Sequence, residues 1–241
     1  MVTAAEMRAL DAMAEAAGYG LTEMVEHAGR HLADLCHLLG AWPPRTLRVV
    51  ILAGAGGNGA GALAAGRHLA NAGASVKVVL GQPASEHGPA VSRQLEFLAA
   101  ARMASAPPGS ALPSGADLIL DGLVGYGLRG SLRGAKRRLV QEVAAMGARQ
   151  SALVISLDVP SGLDPDTVRQ PDLAIRPAAT LAIALPKHGL LDPNAGDIWL
   201  ADIGIPRSLF AAAGVAEPPT EVAMSGLIPL SRVRGASPQG Q

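Results

Sequence analysis

Residues 49–69 read VVILAGAGGNGAGALAAGRHL, and their order fixes the class of fold. Val49, Val50, Ile51, Leu52 and Ala53 form a short unbroken apolar run. Bounded by turn residues, such a run reads as a strand buried on both faces of a parallel sheet. Gly54, Gly56, Gly57, Gly59 and Gly61 follow, and from Ala60 the pattern turns helical through Leu63 to Leu69. A glycine-rich turn between a strand and a helix start aims free N–H groups at whatever lies beyond the strand end. That arrangement suits a phosphate. The loop alone reads equally well as a tight strand-to-helix turn. Gly54, Gly56 and Gly59 satisfy the dinucleotide spacing, but no acid closes the second strand, Val76–Leu80, which runs into Gly81-Gln82-Pro83. No lysine follows Gly61, so this is not a nucleoside-triphosphate loop.

Outward from this unit, strands and helices alternate. On the N-terminal side, Thr3 and Glu6 spell a capping box, and Met7, Leu10, Met13, Ala14 and Ala17 repeat at helical spacing up to Gly18 and Gly20. A second helix is expected from Leu21 to about Leu39, with Met24, Ala28, Leu32, Cys36 and Leu39 on its apolar face. On the C-terminal side, a helix is expected over Ala90–Ala101, a loop over Ala106–Gly115 and a strand at Leu118–Leu120 ending in Asp121. A second glycine-rich loop, Gly122–Gly130, leads to a helix near Ala135–Ala145, and Leu153–Leu157 forms a strand ending in Asp158. Ala179–Leu185 and Ile198–Leu200 read as further strands, with a short helix near Arg207–Ala213. The sum is an α/β protein on a mostly parallel sheet, preceded by two helices. Residues 1–216 are expected to form one domain, with 217–241 a linker or disordered tail.

Composition excludes several function classes. The formal net charge is zero, so no global basic field attracts nucleic acid or a membrane surface. Aromatics make up 2%, too few for a base-stacking platform. No apolar run approaches a membrane span and no leader pattern opens the chain, which fits a cytoplasmic protein. The single cysteine, Cys36, lies in an apolar helical pattern and reads as a buried hydrophobe. His27 and His31 are one helical turn apart, but with no third ligand in view a solvated or capping role fits better than a metal site.

Ligands of open α/β sheets bind beyond the carboxyl ends of the strands. Three strands end there in polar residues: at the Gly54–Asn58 loop, at Asp121 and at Asp158, with Ser161 close behind. Asn58, Asp121 and Ser161 are able to offer side-chain oxygens to one small hard cation. Asp158 is a candidate general acid or base.

These motifs, in this order, resemble the YjeF N-terminal domain family of NAD(P)H-hydrate epimerases. The opening TAAEMRALD is similar to the family's start, and Met24–Arg30 resembles its LMENAGR. Residues 54–69 resemble GPGNNGGDGLVAARHL, and 121–130 resemble its D-x-x-x-G-x-G loop. SLDVPSGLD, 156–164, resembles SVDIPSGWD, and 186–190 with 201–206 resemble the closing motifs. The resemblance implies a Rossmann-like, three-layer αβα sandwich. It implies a substrate, NAD(P)HX, in which water has added at nicotinamide C6, and interconversion of its R and S forms. It implies a potassium ion on Asn58, Asp121 and Ser161, and Asp158 as the proton-transferring residue. The substrate would lie on Gly57, Asn58, Gly59, Ala60 and Gly61, with its phosphates on Gly125, Tyr126, Gly127, Leu128, Arg129 and Gly130. A homodimer and a separate NAD(P)HX dehydratase chain are the implied partners, since about 35 residues after Pro206 are too few for a second domain. Three family residues are replaced: Gly57 and Gly61 stand where the family has Asn and Asp, and His27 where it has Asn. These departures leave open an alternative, a non-catalytic module that binds a nucleotide or a protein.

Overall fold

In a computed structural model of the chain, the run beginning at Val49 lies in the middle of a parallel sheet. The structure describes residues 1–40, 44–103, 105–128, 130–146, 152–169 and 171–230. The elements in order are α1 (Ala4–Ala16), α2 (Leu21–Gly40), β1 (Arg48–Ala53), α3 (Gly57–Asn71), β2 (Ser75–Leu80), α4 (Pro89–Ala100), β3 (Ser105–Ala106) and β4 (Leu118–Gly122). They continue with α5 (Gly134–Met146), β5 (Leu153–Leu157), β6 (Ala179–Ile183), β7 (Asp197–Ala201), α6 (Arg207–Ala212), α7 (Thr220–Ser225) and β8 (Leu227–Leu230). The sheet order is β3-β2-β1-β4-β5-β6-β7-β8. All described neighbours pair in parallel except β7 with β8. The chain winds outward from β1 in one direction and returns to β4 to wind in the other. The crevice for a ligand therefore opens above the carboxyl ends of β1 and β4.

Alternation along β1 explains why the sheet is covered on both faces. Val49, Ile51 and Ala53 pack with α2, α3 and α4, while Val50 and Leu52 pack with Leu139, Val140 and Val143 of α5. The core contains few aromatics because its helices approach closely on small residues: a Cβ on Gly29 of α2 would overlap Ala64 of α3. Arg67 and His68 of α3 both reach back to Glu26 of α2, the histidine at 2.8 Å. Helix α1 begins with both halves of the expected capping box and buries Met7, Leu10 and Ala14. Cys36 is buried, and burial pushes its thiol well above the usual range.

Three expectations need correction. The sixth strand stops at Ile183 rather than Leu185, because Ala184 turns into the left-handed region at φ 58°. Ser105 and Ala106 pair with β2 as a two-residue strand where a loop was expected to begin. The segment after Glu217 is not a free tail as far as Leu230: it forms α7 and then β8, which pairs with β7 over four residues. Both elements are too short to show a period, and Pro229 is tolerated because β8 is an edge strand. Residues 231–241 lie outside the described residues. No described helix is long and apolar enough to cross a membrane.

Candidate active site

A cavity of about 700 Å³ lies above β1 and β4, walled on its outer side by α1 and α2. Its floor is the first glycine loop. Helix α3 starts at Gly57 with no side-chain cap, so its first N–H groups are available to a ligand. Gly57 and Asn58 line the cavity, whereas Gly59, Ala60 and Gly61 do not and are buried within α3. From the second loop, Gly125, Tyr126 and Gly127 line it. Tyr126 also lines a neighbouring cavity of about 420 Å³, together with Leu128 and Gly130. Arg129 lies outside the described residues.

Asp158 enters this cavity at the carboxyl end of β5. Its backbone is left-handed, φ 66°, a cost an aspartate tolerates better than most residues. The Asp158 amide donates to Leu181 O at 2.7 Å, which ties the turn to β6. One carboxylate oxygen, Oδ1, lies 2.6 Å from Lys187 Nζ, and the other, Oδ2, accepts the Tyr126 N–H at 2.8 Å. Both side chains of this ion pair are buried, Lys187 at 0% and Asp158 at 2% exposure. Lys187 also donates to Ile183 O at 3.0 Å. Its segment is clasped by the chain start: Val2 N donates to Pro186 O and His188 N to Val2 O. A buried charge pair survives only with such additional partners.

The Tyr126 side chain crosses to α1, where its hydroxyl donates to Asp11 Oδ2. Lys187 Nζ lies 5.4 Å from the Tyr126 ring centroid, within cation–π range. Burial raises the Asp11 carboxyl above its ordinary range, partly offset by the Tyr126 hydrogen bond and by Lys187. Burial likewise raises the Tyr126 phenol, and the Asp11 carboxylate adds to it.

Asp121 lies beneath this wall, fully buried. Oδ1 accepts from Ser161 Oγ at 2.6 Å, and Oδ2 accepts from Ser156 Oγ and the Ser161 amide, both at 2.8 Å. Burial raises the Asp121 carboxyl, opposed by the donors on Ser161 and Ser156. The Asn58 amide is the unsatisfied member of the group: its Oδ1 and Nδ2 are both buried without a hydrogen-bond partner. A Cβ on Gly125 would come 2.6 Å from Asp158 Oδ2 and 3.0 Å from Asn58 Oδ1. The absent side chain at 125 leaves room for both polar groups beside the loop. An orphaned, buried amide oxygen is a neutral donor, and with the oxygens of Asp121 and Ser161 it makes a donor set of low charge, of the chemistry a hard monovalent cation takes.

The replaced positions fall in different places. A Cβ on Gly61 would lie 2.7 Å from Leu157 Cδ2, so Leu157 fills the space that a larger residue 61 would need. Gly57 has open surroundings, with Leu21 Cδ1 at 3.5 Å from a built Cβ. His27 does not line the cavity; it sits beside Tyr19 and Gly204. His31 lies against Gly226, and burial lowers its pKa. Among the described residues no group of three metal-ligating His, Cys, Asp or Glu side chains occurs.

Sequence reasoning gave no role to Lys187, Asp11 or the Tyr126 side chain. Asp11 carried a signal, since it follows Met7 by one turn and so falls on the apolar stripe of α1. A polar residue on a buried stripe has a partner to find. Lys187 sits in an apolar run, ALPKHGLL, which is a similar signal.

Comparison with known proteins agrees with this geometry. Residues 21–189 match the family described as YjeF-related protein N-terminus. The chain is 41% identical over 215 residues to an NAD(P)H-hydrate epimerase of Dehalogenimonas lykanthroporepellens, covering 89% of this chain and 86% of that protein. It is 35% identical to an NAD(P)H-hydrate epimerase of Truepera radiovictrix, covering 89% and 94%. It is also 36% identical to a Bifunctional NAD(P)H-hydrate repair enzyme of Hyperthermus butylicus, of which it spans 38%. The crystal structure of the yeast protein ynu0 superposes with a TM-score of 0.82 at 20% identity, covering 95% of this chain and 99% of that one, a likeness of fold. The chain therefore belongs to the family of YjeF-related N-terminal domains.

Proposed function

We propose that this protein is an NAD(P)H-hydrate epimerase, which interconverts the R and S forms of NAD(P)HX at nicotinamide C6. The observation that carries the reading is Asp158: a carboxylate at the strand end, gripped by Lys187 and the Tyr126 N–H, on the wall of a cavity of about 700 Å³. In the substrate, C6 bears a hydroxyl beside the ring nitrogen. A proton passed from the Lys187 ammonium through Asp158 to that hydroxyl lets the C6–O bond break to water, with the nitrogen lone pair completing a C6=N1 double bond. Water adding to the opposite face of C6, and return of its proton to the Asp158–Lys187 pair, gives the other epimer and restores both groups. Asp158 is thus assigned to hold and move the proton on the C6 oxygen.

The remaining roles follow from position. The uncapped α3 start at Gly57 and Asn58 and the backbone of Gly125 and Gly127 supply N–H groups suited to the substrate diphosphate, the Tyr126 N–H being held by Asp158. Leu128 and Gly130 line the neighbouring cavity, and with Arg129 they are assigned to the same phosphates on the family resemblance. Gly59, Ala60 and Gly61 act from behind, by letting the chain turn tightly into α3. Asn58, Asp121 and Ser161 are assigned to potassium, and the orphaned Asn58 amide oxygen supports this. When bound, that ion would add a fixed positive charge to the glycine-loop wall. Because Leu157 occupies the space beside Gly61, the site does without the family's acid there, and the cavity wall is apolar at that point. The same reading assigns a homodimer and a dehydratase on a separate chain; the bifunctional relatives combine repair activities by name in one longer protein.

The test is a coupled assay. Pure R substrate is supplied, and S formation is followed by an added dehydratase, in potassium and in lithium buffers. Turnover that is faster in potassium and is lost in Asn58→Ala supports the assignment. Equal turnover in both buffers removes potassium from it, and turnover no faster than the spontaneous rate removes the activity.

A further inference from the structure

We propose that Asp11 is a positioning residue for Asp158, acting through the side chain of Tyr126. The inference rests on the assignment of Asp158 above, and its test separates the two. Three contacts form the chain of reasoning. The Tyr126 hydroxyl donates to Asp11 Oδ2, the Tyr126 amide donates to Asp158 Oδ2 at 2.8 Å, and Lys187 holds Asp158 Oδ1 at 2.6 Å while lying over the Tyr126 ring. Residue 126 thus touches both partners of the ion pair, and its side chain is anchored on α1.

The anchor matters because of its neighbours. Gly125 and Gly127 flank Tyr126, and neither has a side chain to fix the loop. Gly125 has to be bare, since Asp158 and Asn58 crowd the place where its Cβ would be. Leu128 N donates back to Gly125 O, which curls the loop but ties it to nothing outside itself. Ser161 Oγ holds the start of the loop through the Val124 N–H at 3.0 Å; beyond Val124, among the described residues of the loop, the Tyr126 hydroxyl is the one group of a side chain that makes a hydrogen bond. Asp11 is placed to receive it on the buried stripe of α1, between Leu10 and Ala14, both 0% exposed. Without that contact the Tyr126 N–H is free to leave Asp158, and the carboxylate is held at one oxygen only. Misplacement of a reacting group by about 1 Å costs on the order of 100-fold in rate.

The experiment uses the full chain and four variants, Asp11→Ala, Asp11→Asn, Tyr126→Phe and the Asp11→Ala/Tyr126→Phe pair, with Asp158→Asn beside them. Epimerisation kcat and hydrogen exchange of the Tyr126 amide are measured on each. The expected result is a kcat lowered about 10- to 100-fold in Asp11→Ala and in Tyr126→Phe, with the double variant no worse than the weaker single. Asp11→Asn keeps an acceptor for the hydroxyl and is expected within about threefold of the parent. The Tyr126 amide is expected to exchange at least about tenfold faster in the two impaired singles and at the parent rate in Asp11→Asn. A kcat within twofold of the parent in both singles overturns the proposal, as does an Asp11→Asn as impaired as Asp11→Ala. Tyr126→Phe keeps the ring and removes only the hydroxyl, so it reports even where a change on α1 disturbs folding. If Asp158→Asn keeps full turnover, the assignment of Asp158 is what fails, and amide exchange still decides whether Asp11 holds the loop.

Discussion

Replacing Lys187 by methionine tests the account of the buried ion pair. The side chain is 0% exposed and its ammonium lies 2.6 Å from Asp158 Oδ1. Methionine matches the apolar stem, so little volume is lost and the change is mainly one of charge. Asp158 then keeps a carboxylate with one donor, the Tyr126 N–H, in a position 1% exposed to water. Breaking a buried pair by removing one partner costs about 3–5 kcal/mol, because the other charge is stranded. For a chain of this size that is a loss of roughly 6–20 °C in Tm. Asp158→Asn strands the ammonium in the same way, with Ile183 O as its remaining partner, and is expected to cost a similar amount. The double variant, Lys187→Met with Asp158→Asn, removes both charges and is expected to lose less than either single, a coupling of at least about 2 kcal/mol. Asparagine is the right partner because it tolerates the left-handed backbone at 158. Thermal unfolding of the four proteins at one pH reads the cycle. Singles within 2 °C of the parent, or a double equal to the sum of the singles, would refute the reasoning.

Gly61→Asp restores the acid of the family motif but drives a Cβ against Leu157, 2.7 Å away, and is expected to cost about 1–3 kcal/mol; adding Leu157→Val should recover most of it, read by denaturant unfolding. Gly125→Ala places a methyl 2.6 Å from Asp158 Oδ2, and is expected to lower kcat at least about 100-fold in steady-state assays. Asp11 has its carboxyl raised by burial, so the native state resists its ionisation: the penalty is absent below the ordinary carboxylate range and grows as pH rises through the raised value. Asp11→Asn should therefore raise Tm at pH 7–8 relative to the parent and change it little at pH 4, a contrast that differential scanning calorimetry checks directly. A chain stopped at Pro219 loses Val222, 0% exposed, and uncovers the β7 edge; lower Tm and aggregation on heating are expected by light scattering.

The sheet was legible because its central strands are buried on both faces and read as unbroken apolar runs, Val49–Ala53 and Leu118–Leu120 among them. The edge was not, because Leu227–Leu230 pairs on one side only and carries a proline. Asn58, Asp121, Asp158 and Ser161 were visible as polar residues at strand ends, a place where side chains meet by topology. Their partners were hidden for the opposite reason. Asp11 and Lys187 reach the site from α1 and from beyond β6, and only the packed structure shows that a buried charge at 187 faces Asp158. The accommodation of Gly61 by Leu157 was hidden likewise, since the two residues meet across the sheet–helix interface.

The most direct test of the central claim is chromatographic separation of the R and S forms after adding the purified protein to pure R substrate in potassium buffer, with folded Asp158→Asn in parallel. The account predicts S formation well above the spontaneous rate with the parent chain and none above it with the variant. A folded parent that forms S no faster than the buffer alone would contradict it.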